Sequence, residues 1–285
     1  ILDWSAAGIA EEYMRHHTGR GLASVIAFSL LGLGTAFAAD MAVKARPAMV
    51  VDPAYNWTGF YIGLNAGYGW NGDRDVTISG SPLITASQPA VVPLSVGLRP
   101  EGWLAGGQIG YNYQFGNRGV LGIEADFAWA DIQDSNFIDL PVAFATRTSV
   151  SEKIDFFGTV RGRLGVTFDR LLVYGTGGFA YANVKQFGNV DEFFPGGGRQ
   201  FIANSSDLRY GWTVGAGAEW AVAKNWSVKA EYLYYDLGGN TITGPQSNPV
   251  NGIDFATYSF STRGNIVRGG LNYKFDWAGP VVAKY

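Results

Sequence analysis

The chain has 285 residues, of which 47% are hydrophobic, 15% aromatic and only 16% charged, against about 25% charged in an average soluble domain. It carries 40 glycines and no cysteine, which excludes a disulfide framework, an iron–sulfur cluster and a thiolate zinc site, and its net charge of −3 gives no electrostatic footprint for nucleic acid. An apolar share of this size excludes a disordered chain, and many aromatics with many glycines and few charges point to a β-protein in an unusual solvent.

Residues 1–13 (ILDWSAAGIAEEY) precede a start at Met14 and are expected to be an over-extended reading frame. A short basic head, Met14-Arg15-His16-His17-Thr18-Gly19-Arg20, leads into an apolar run over 21–38 that ends in Ala36-Phe37-Ala38, a small-x-small cleavage site. Residues 14–38 therefore read as a secretory signal peptide cut after Ala38. The apolar run falls short of the ~20 residues a comfortable membrane-spanning helix needs. Cleavage removes the chain's two histidines, His16 and His17. The Ala/Val/Pro-rich stretch 39–56 reads as a flexible lead-in.

From Trp57 onward the hydrophobic period is two, the signature of strands with distinct faces. Eight such segments are expected. The first, 58–70, sets Phe60, Ile62, Leu64, Tyr68 and Trp70 against small or polar residues such as Tyr61, Gly63 and Asn65. The second, 102–115, sets Trp103, Ile109, Tyr111, Tyr113 and Phe115 against Gln108, Asn112 and Gln114. The third, 119–131, sets Leu121, Ile123, Phe127 and Trp129 against Glu124 and Asp126. The fourth, 152–168, sets Ile154, Phe156, Val160, Leu164, Val166 and Phe168 against Asp155, Thr159, Arg161, Arg163 and Thr167. The fifth, 171–185, is too rich in glycine for its faces to be assigned. The sixth, 208–222, sets Tyr210, Trp212, Val214 and Trp220 against Thr213 and Glu219. The seventh, 226–237, sets Trp226, Val228, Tyr232 and Tyr234 against Lys229 and Glu231. The eighth, 262–275, sets Val267, Leu271, Tyr273 and Phe275 against Arg268, Asn272 and Lys274.

The connections alternate as well. Residues 71–100, 132–151, 186–207 and 239–261 are long and polar or Pro/Gly-bearing, whereas 116–118, 169–170 and 223–225 are tight hairpin turns. Val76-Thr77-Ile78 in the first long connection is β-prone and either extends the first two strands or adds a fifth hairpin. The pattern matches an all-β fold, an eight-stranded antiparallel transmembrane β-barrel with four long extracellular loops and short periplasmic turns. A soluble sandwich also alternates. Two features favour the barrel. Trp70, Trp103, Phe115, Trp129, Phe168, Trp220, Trp226 and Phe275 sit at the ends of apolar strand faces, as interfacial aromatic girdles do. Glu124, Asp126, Arg161, Arg163, Glu219, Lys229, Glu231 and Arg268 share the opposite face at mid-strand, where a barrel encloses them with partners nearby.

Trp57-Thr58-Gly59-Phe60-Tyr61-Ile62-Gly63 resembles the opening strand of the α-proteobacterial outer-membrane/opacity-protein family, among the small OmpA-like barrels. Gly119-Val120-Leu121-Gly122-Ile123-Glu124, Gly158-Thr159-Val160-Arg161-Gly162-Arg163-Leu164-Gly165, Tyr174-Gly175-Thr176-Gly177-Gly178, Gly215-Ala216-Gly217-Ala218-Glu219 and Lys229-Ala230-Glu231-Tyr232 continue the likeness over about 57–275. The resemblance implies an outer-membrane location, a periplasmic lead-in over 39–56, and a role in envelope integrity and surface presentation. Its implied partners are outer-membrane lipids, lipopolysaccharide and the assembly machinery, with the chain a monomer. Many such barrels end on an aromatic of the last strand. Here Phe275 is followed by a 276–285 tail, so either Phe275 or Tyr285 carries that signal.

An eight-stranded lumen is just wide enough for side chains to fill. The eight inward charges therefore read as an ion-pair network that plugs the barrel, with a polar path for small solutes as the alternative. Catalysis lacks its reagents, since 39–285 holds no His and no Cys to activate a nucleophile or water, so no cofactor or metal is expected and the chain is read as non-enzymatic. Glu124 and Asp126 are read as members of the lumen network, and Asp191-Glu192 as solvated loop acids. The functional alternatives are a narrow porin and a surface adhesin that uses its loops.

Overall fold

The computed structural model describes residues 55–141, 145–193, 198–247 and 254–276. Every described residue belongs to the compact unit Asp52–Tyr285. The expected reading-frame extension, the signal peptide with Ala36 and Ala38, most of the lead-in and the tail beyond Asp276 lie outside the described residues.

Among the described residues, ten strands and one short helix follow in the order β1 (Gly59–Trp70), β2 (Arg74–Gly80), α1 (Pro82–Ser87), β3 (Ser95–Leu98), β4 (Glu101–Phe115), β5 (Gly119–Leu140), β6 (Thr146–Phe168), β7 (Leu171–Glu192), β8 (Arg199–Ala221), β9 (Trp226–Pro245) and β10 (Phe255–Lys274). All pairings are antiparallel. β1 and β4 through β10 pair in sequence order, and β1 closes on β10 from Tyr61↔Lys274 to Trp70↔Asn265. The two remaining strands, β2 and β3, pair with each other, and β2 adds to β10 from Thr77↔Ser259 to Gly80↔Ala256. Because β1 stops at Trp70, β2 takes its place beside β10 higher up the wall.

Eight strands, β1 and β4–β10, close the ring, and the 71–100 connection adds the further hairpin β2–β3 to the sheet. One expectation is corrected here. The other long connections are mostly strand: β5 runs to Leu140, β6 begins at Thr146, β7 runs to Glu192 and β10 begins at Phe255. The reason is an inversion of polarity along each strand. Below it, outward residues such as Leu121, Ile123 and Leu164 are exposed and apolar. Above it, outward positions are Ser151, Asn204, Ser206, Thr241 and Thr243, while Val150, Val190, Phe201, Ile242, Tyr258 and Phe260 point inward and are buried. A polar outer face makes these upper stretches read as loops, although the period of two continues through them.

One face assignment is also corrected. Ile154 is expected outward with Val160, but it is fully buried inside the barrel. A register shift between Ile154 and Phe156 against β7 is a β-bulge, and one extra residue flips every side chain beyond it to the other face. Asp155, expected inward, instead meets Lys185 at 2.7 Å on the outer side. Asp191 and Glu192 end β7 rather than sitting in a loop, and Glu192 is buried with Arg199 Nε 3.1 Å away.

Because the chain has no native cysteine, single-cysteine labelling reads these faces directly. Lys153→Cys is expected to react with a membrane-impermeant maleimide on the folded protein. Ile154→Cys, one residue further, is expected to react only after unfolding; the opposite order would contradict the bulge.

Candidate functional site

The eight charged residues singled out above face the interior from five strands. Glu124 and Asp126 come from β5, Arg161 and Arg163 from β6, Glu219 from β8, Lys229 and Glu231 from β9, and Arg268 from β10. Each alternates with exposed apolar neighbours such as Ile123, Val160, Leu164, Trp220, Val228, Tyr232 and Val267, which turns the charges inward. All eight are at most 4% exposed.

Cross-strand register brings two pairs face to face, Glu124 opposite Arg161 and Glu231 opposite Arg268. Arg161 reaches Glu124 at 2.6 Å, Asp126 at 3.0 Å and Glu231 at 3.1 Å. Arg268 reaches Glu231 at 2.7 Å and Asp126 at 2.9 Å. A third register pair, Glu219 and Lys229, does not form an ion pair; each crosses the lumen instead. Lys229 Nζ donates to both Glu124 oxygens, at 2.8 and 3.0 Å, and Arg163 Nη2 donates to Glu219 Oε2 at 2.7 Å. Glu124 is the hub, with Arg163 and Arg268 also within 3.6 and 3.7 Å. Four carboxylates and four cations cancel in formal charge.

Neutral donors complete the layer, and most are absent from the residues chosen by sequence. Tyr61 Oη donates to Glu124 Oε2 at 2.7 Å and accepts from Arg163 Nη1 at 2.9 Å. Tyr174 Oη donates to Glu231 Oε1 at 3.0 Å, and the Arg163 guanidinium lies 4.0 Å over its ring. Thr159, Ser227 and Asn272 donate to Asp126 and Glu219. Glycine makes room for the two phenols: a Cβ on Gly110 would stand 2.3 Å from Tyr61 Oη, and one on Gly217 would stand 2.6 Å from Tyr174 Oη. The signal for Tyr61 is its phase, since it shares the inward face of β1 with Asn65. Tyr174 lies in the Gly-rich segment whose faces the alternation leaves unassigned.

The charged layer is one of five levels stacked inside the barrel. Beneath it, toward the short turns, Trp57, Val120, Leu172, Tyr174 and Ala221 form an apolar cluster, with Tyr55 packed against it. Burial, with Glu219 nearby, pushes the Tyr55 phenol up to about 12 and keeps it neutral. Above the charges lie Leu104, Ile132, Ile154, Phe157, Leu233, Tyr235 and Ile266. Higher still Arg74 of β2 meets Glu152 at 2.9 Å, and Gln186 and Thr262 both donate to the same carboxylate. At the top the segment from β2 through α1 to β3 turns Val76, Ile78, Ile84, Val92, Val96 and Leu98 onto Val150, Val190, Phe201, Ile242, Tyr258 and Phe260.

On the outer surface the eight expected girdle residues fall at two levels. Trp70, Trp103 and Trp129 lie at the upper level, where Trp103 and Trp129 are 72% and 71% exposed and Tyr68 packs edge-on against Trp103 at 5.1 Å. Phe115, Phe168, Trp220, Trp226 and Phe275 lie beside the short turns and are all exposed. Phe60, Tyr111 and Tyr273 join the lower ring, and Phe156, Tyr210 and Trp212 join the upper one. Between the rings the exposed residues are aliphatic, among them Ile62, Leu64, Ile109, Leu121, Ile123 and Leu164. Among the described residues no group of His, Cys, Asp and Glu is placed to hold a metal ion.

Comparison with known proteins gives the same architecture. The family model for the outer membrane protein beta-barrel domain matches residues 27–275. The 31 kDa outer-membrane immunogenic protein of Brucella melitensis is 36% identical over 255 residues, covering 85% of this chain and 94% of that protein. The 25 kDa outer-membrane immunogenic protein of the same organism is 29% identical over 271 residues, covering 90% of this chain and 99% of that protein. Among solved structures, the outer membrane protein OprG of Pseudomonas aeruginosa aligns with a TM-score of 0.40 at 12% identity, over 78% of this chain and 98% of that one.

The hub position sets an expectation for stability. Glu124→Leu strands Lys229, whose other acid, Glu231, is 4.0 Å away, and an uncompensated buried charge costs about 3–5 kcal/mol. Arg147→Ala removes an exposed pair with Asp139 and is expected to cost less than about 1 kcal/mol. Urea unfolding in detergent micelles, followed by gel migration without boiling, compares the two.

Proposed function

The chain belongs to the outer membrane protein β-barrel family and resides in the outer membrane, and from that premise we propose that its work is structural: a sealed barrel that braces the envelope and presents its upper rim at the cell surface. The observation that carries this reading is the lumen's filling. Two apolar clusters enclose the charged layer, and the β2–α1–β3 segment covers the mouth above them. A solute path would have to cross both apolar clusters, and an eight-stranded barrel leaves little more room than its own side chains fill.

The outer surface supports the same placement. On β4, Trp103 and Phe115 are twelve residues apart, about 40 Å along a strand rising ~3.3 Å per residue. Strands tilted roughly 35–45° bring that to roughly 30 Å of height, which fits an apolar band of about 25 Å with a girdle at each edge. Phe275 is exposed beside the end of β10, the strand that closes the ring, and is the aromatic we assign as the assembly machinery's signal. The two Brucella relatives are named immunogenic, which supports exposure of the rim. Outer-leaflet lipid and lipopolysaccharide are then the barrel's surroundings, and the chain acts as a monomer without chemistry of its own.

Purified protein in planar bilayers is expected to give no stable single-channel steps, and its band is expected to shift on boiling. Reproducible steps would replace the sealed barrel with a narrow porin. Normal envelope resistance to detergent in a deletion strain, with loss of attachment to a host surface, would favour an adhesin.

A further inference from the structure

Above the upper aromatic ring, outward side chains on three adjacent strands form a small grid. Register sets Lys153 of β6 opposite Lys185 of β7, and Lys185 opposite Ser206 of β8. One step higher, Ser151 stands opposite Phe187, and Phe187 opposite Asn204. These six residues line an open hollow of about 290 Å³. The bulge beside Ile154 builds it, because an unbroken strand would turn Ser151 and Lys153 into the lumen.

Two like charges directly opposite on one face repel. Each lysine is answered from the membrane side, where Lys153 meets Asp131 at 2.7 Å and Lys185 meets Asp155 at 2.7 Å. Asp131 lies opposite Trp103 of the upper ring, and Asp155 precedes Phe156. Neither acid lines the hollow, whose described lining holds two cations and no carboxylate. An ammonium has three donors, so both lysines keep donors for an acceptor above them. Ser151, Asn204 and Ser206 add neutral hydrogen-bonding groups, and half-buried Phe187 sets an apolar ring between them. Such a set complements a phosphorylated sugar. The ammonium groups suit its phosphate, the hydroxyls and amide suit its hydroxyls, and the phenyl ring suits its C–H face.

The grid's height identifies the source of that sugar. Lys153 is three residues above Phe156, and Lys185 is four above Tyr181, which packs against Phe156 in the upper ring. At ~3.3 Å per residue and a tilt of roughly 35–45°, the rise is about 7–11 Å. Headgroup regions extend about 5–8 Å beyond the hydrocarbon core, so the hollow stands where outer-leaflet headgroups begin to give way to water. We propose that this grid binds the phosphorylated sugar head of the outer-leaflet glycolipid, lipopolysaccharide. The inference rests on the surface-facing orientation of the rim argued above and is independent of whether the lumen conducts.

The probe is an acylated glucosamine disaccharide bisphosphate, the phosphorylated anchor of lipopolysaccharide, titrated against the folded chain in detergent micelles and read by native mass spectrometry. Saturable retention on the barrel is expected. Removing both phosphates from the probe is expected to weaken binding about tenfold, the effect of ~1.4 kcal/mol. Phosphatidylglycerol, which carries a phosphate but no amino sugar, is expected to bind more weakly than the bisphosphate. Asp131→Asn combined with Lys153→Gln removes one ammonium at constant net charge and is expected to weaken binding similarly, as is Phe187→Ala, while the boiling-dependent gel shift persists. If a variant fails to fold, the dephosphorylated probe on the unaltered chain decides. Equal retention of the dephosphorylated probe or of phosphatidylglycerol, undiminished binding by both variants, or no retention of the bisphosphate would overturn the proposal. Thr243→Cys on intact cells reads orientation separately. Labelling by an impermeant maleimide alongside failed binding overturns the glycolipid site alone, and absence of labelling overturns the surface-facing rim as well.

Discussion

A peptide group in hydrocarbon has no water to bond, and each one left unpaired costs several kcal/mol. That constraint explains where this barrel is closed and where it is not. Between the aromatic rings every strand pairs with a neighbour on each side, and β1 meets β10 to remove the last edges. The ladders that lapse do so only above the upper ring. β4 and β5 part at Glu101↔Gln133, close to Trp103 and Trp129, and β8 and β9 part at Trp212↔Asp236. Beyond those points water is available to the freed groups, and side chains such as Asp134, Asn136 and Arg209 reach across instead.

The same boundary inverts the rest of the chemistry. Where lipid covers the outside, the outward face must be apolar, so the polar half of each strand turns into a lumen too narrow to hydrate freely. Charges placed there need one another, and the layer around Glu124 supplies each ion with partners of opposite sign plus phenol and hydroxyl donors. Above the boundary water covers the outside, and the strands revert to the soluble arrangement with Val150, Phe201 and Tyr258 inward.

That inversion also governs what the sequence makes legible. In β4, the lower part of β5 and the lower part of β9, an apolar outer face alternates with Gln108, Glu124, Asp126, Lys229 and Glu231, and the period of two carries both the strand and its phase. In the upper half the outward residues are Ser, Thr and Asn, which resemble loop composition, so most of the strand extensions and β3 escape notice. The bulge beside Ile154 leaves no compositional mark, because Ile and Phe suit either face. Tyr174 and its bond to Glu231 are hidden by the glycines around it, even though one of the glycines opposite, Gly217, is what admits the phenol. Local pattern thus gives the phase of a strand, whereas the partner reached across a lumen depends on closure. Glu219 opposite Lys229 shows the limit: register suggests a pair, and the ions go elsewhere.

Buried ion pairs are weak sources of net stability, because desolvation offsets most of the attraction. Their value in a barrel lies in the alternatives they forbid. A strand with apolar residues on both faces could slip by one position at little cost, since each face would still suit lipid. With Glu124, Arg161, Lys229 and Arg268 on one face, a one-residue slip of β5, β6, β9 or β10 would turn a charge into hydrocarbon and strand its partners inside. Each strand is therefore held in phase by residues on other strands, as Lys229 of β9 is held by Glu124 of β5 across the lumen. The charged layer specifies one register out of several that hydrophobicity alone would accept, and closure of the ring then carries that choice to every strand.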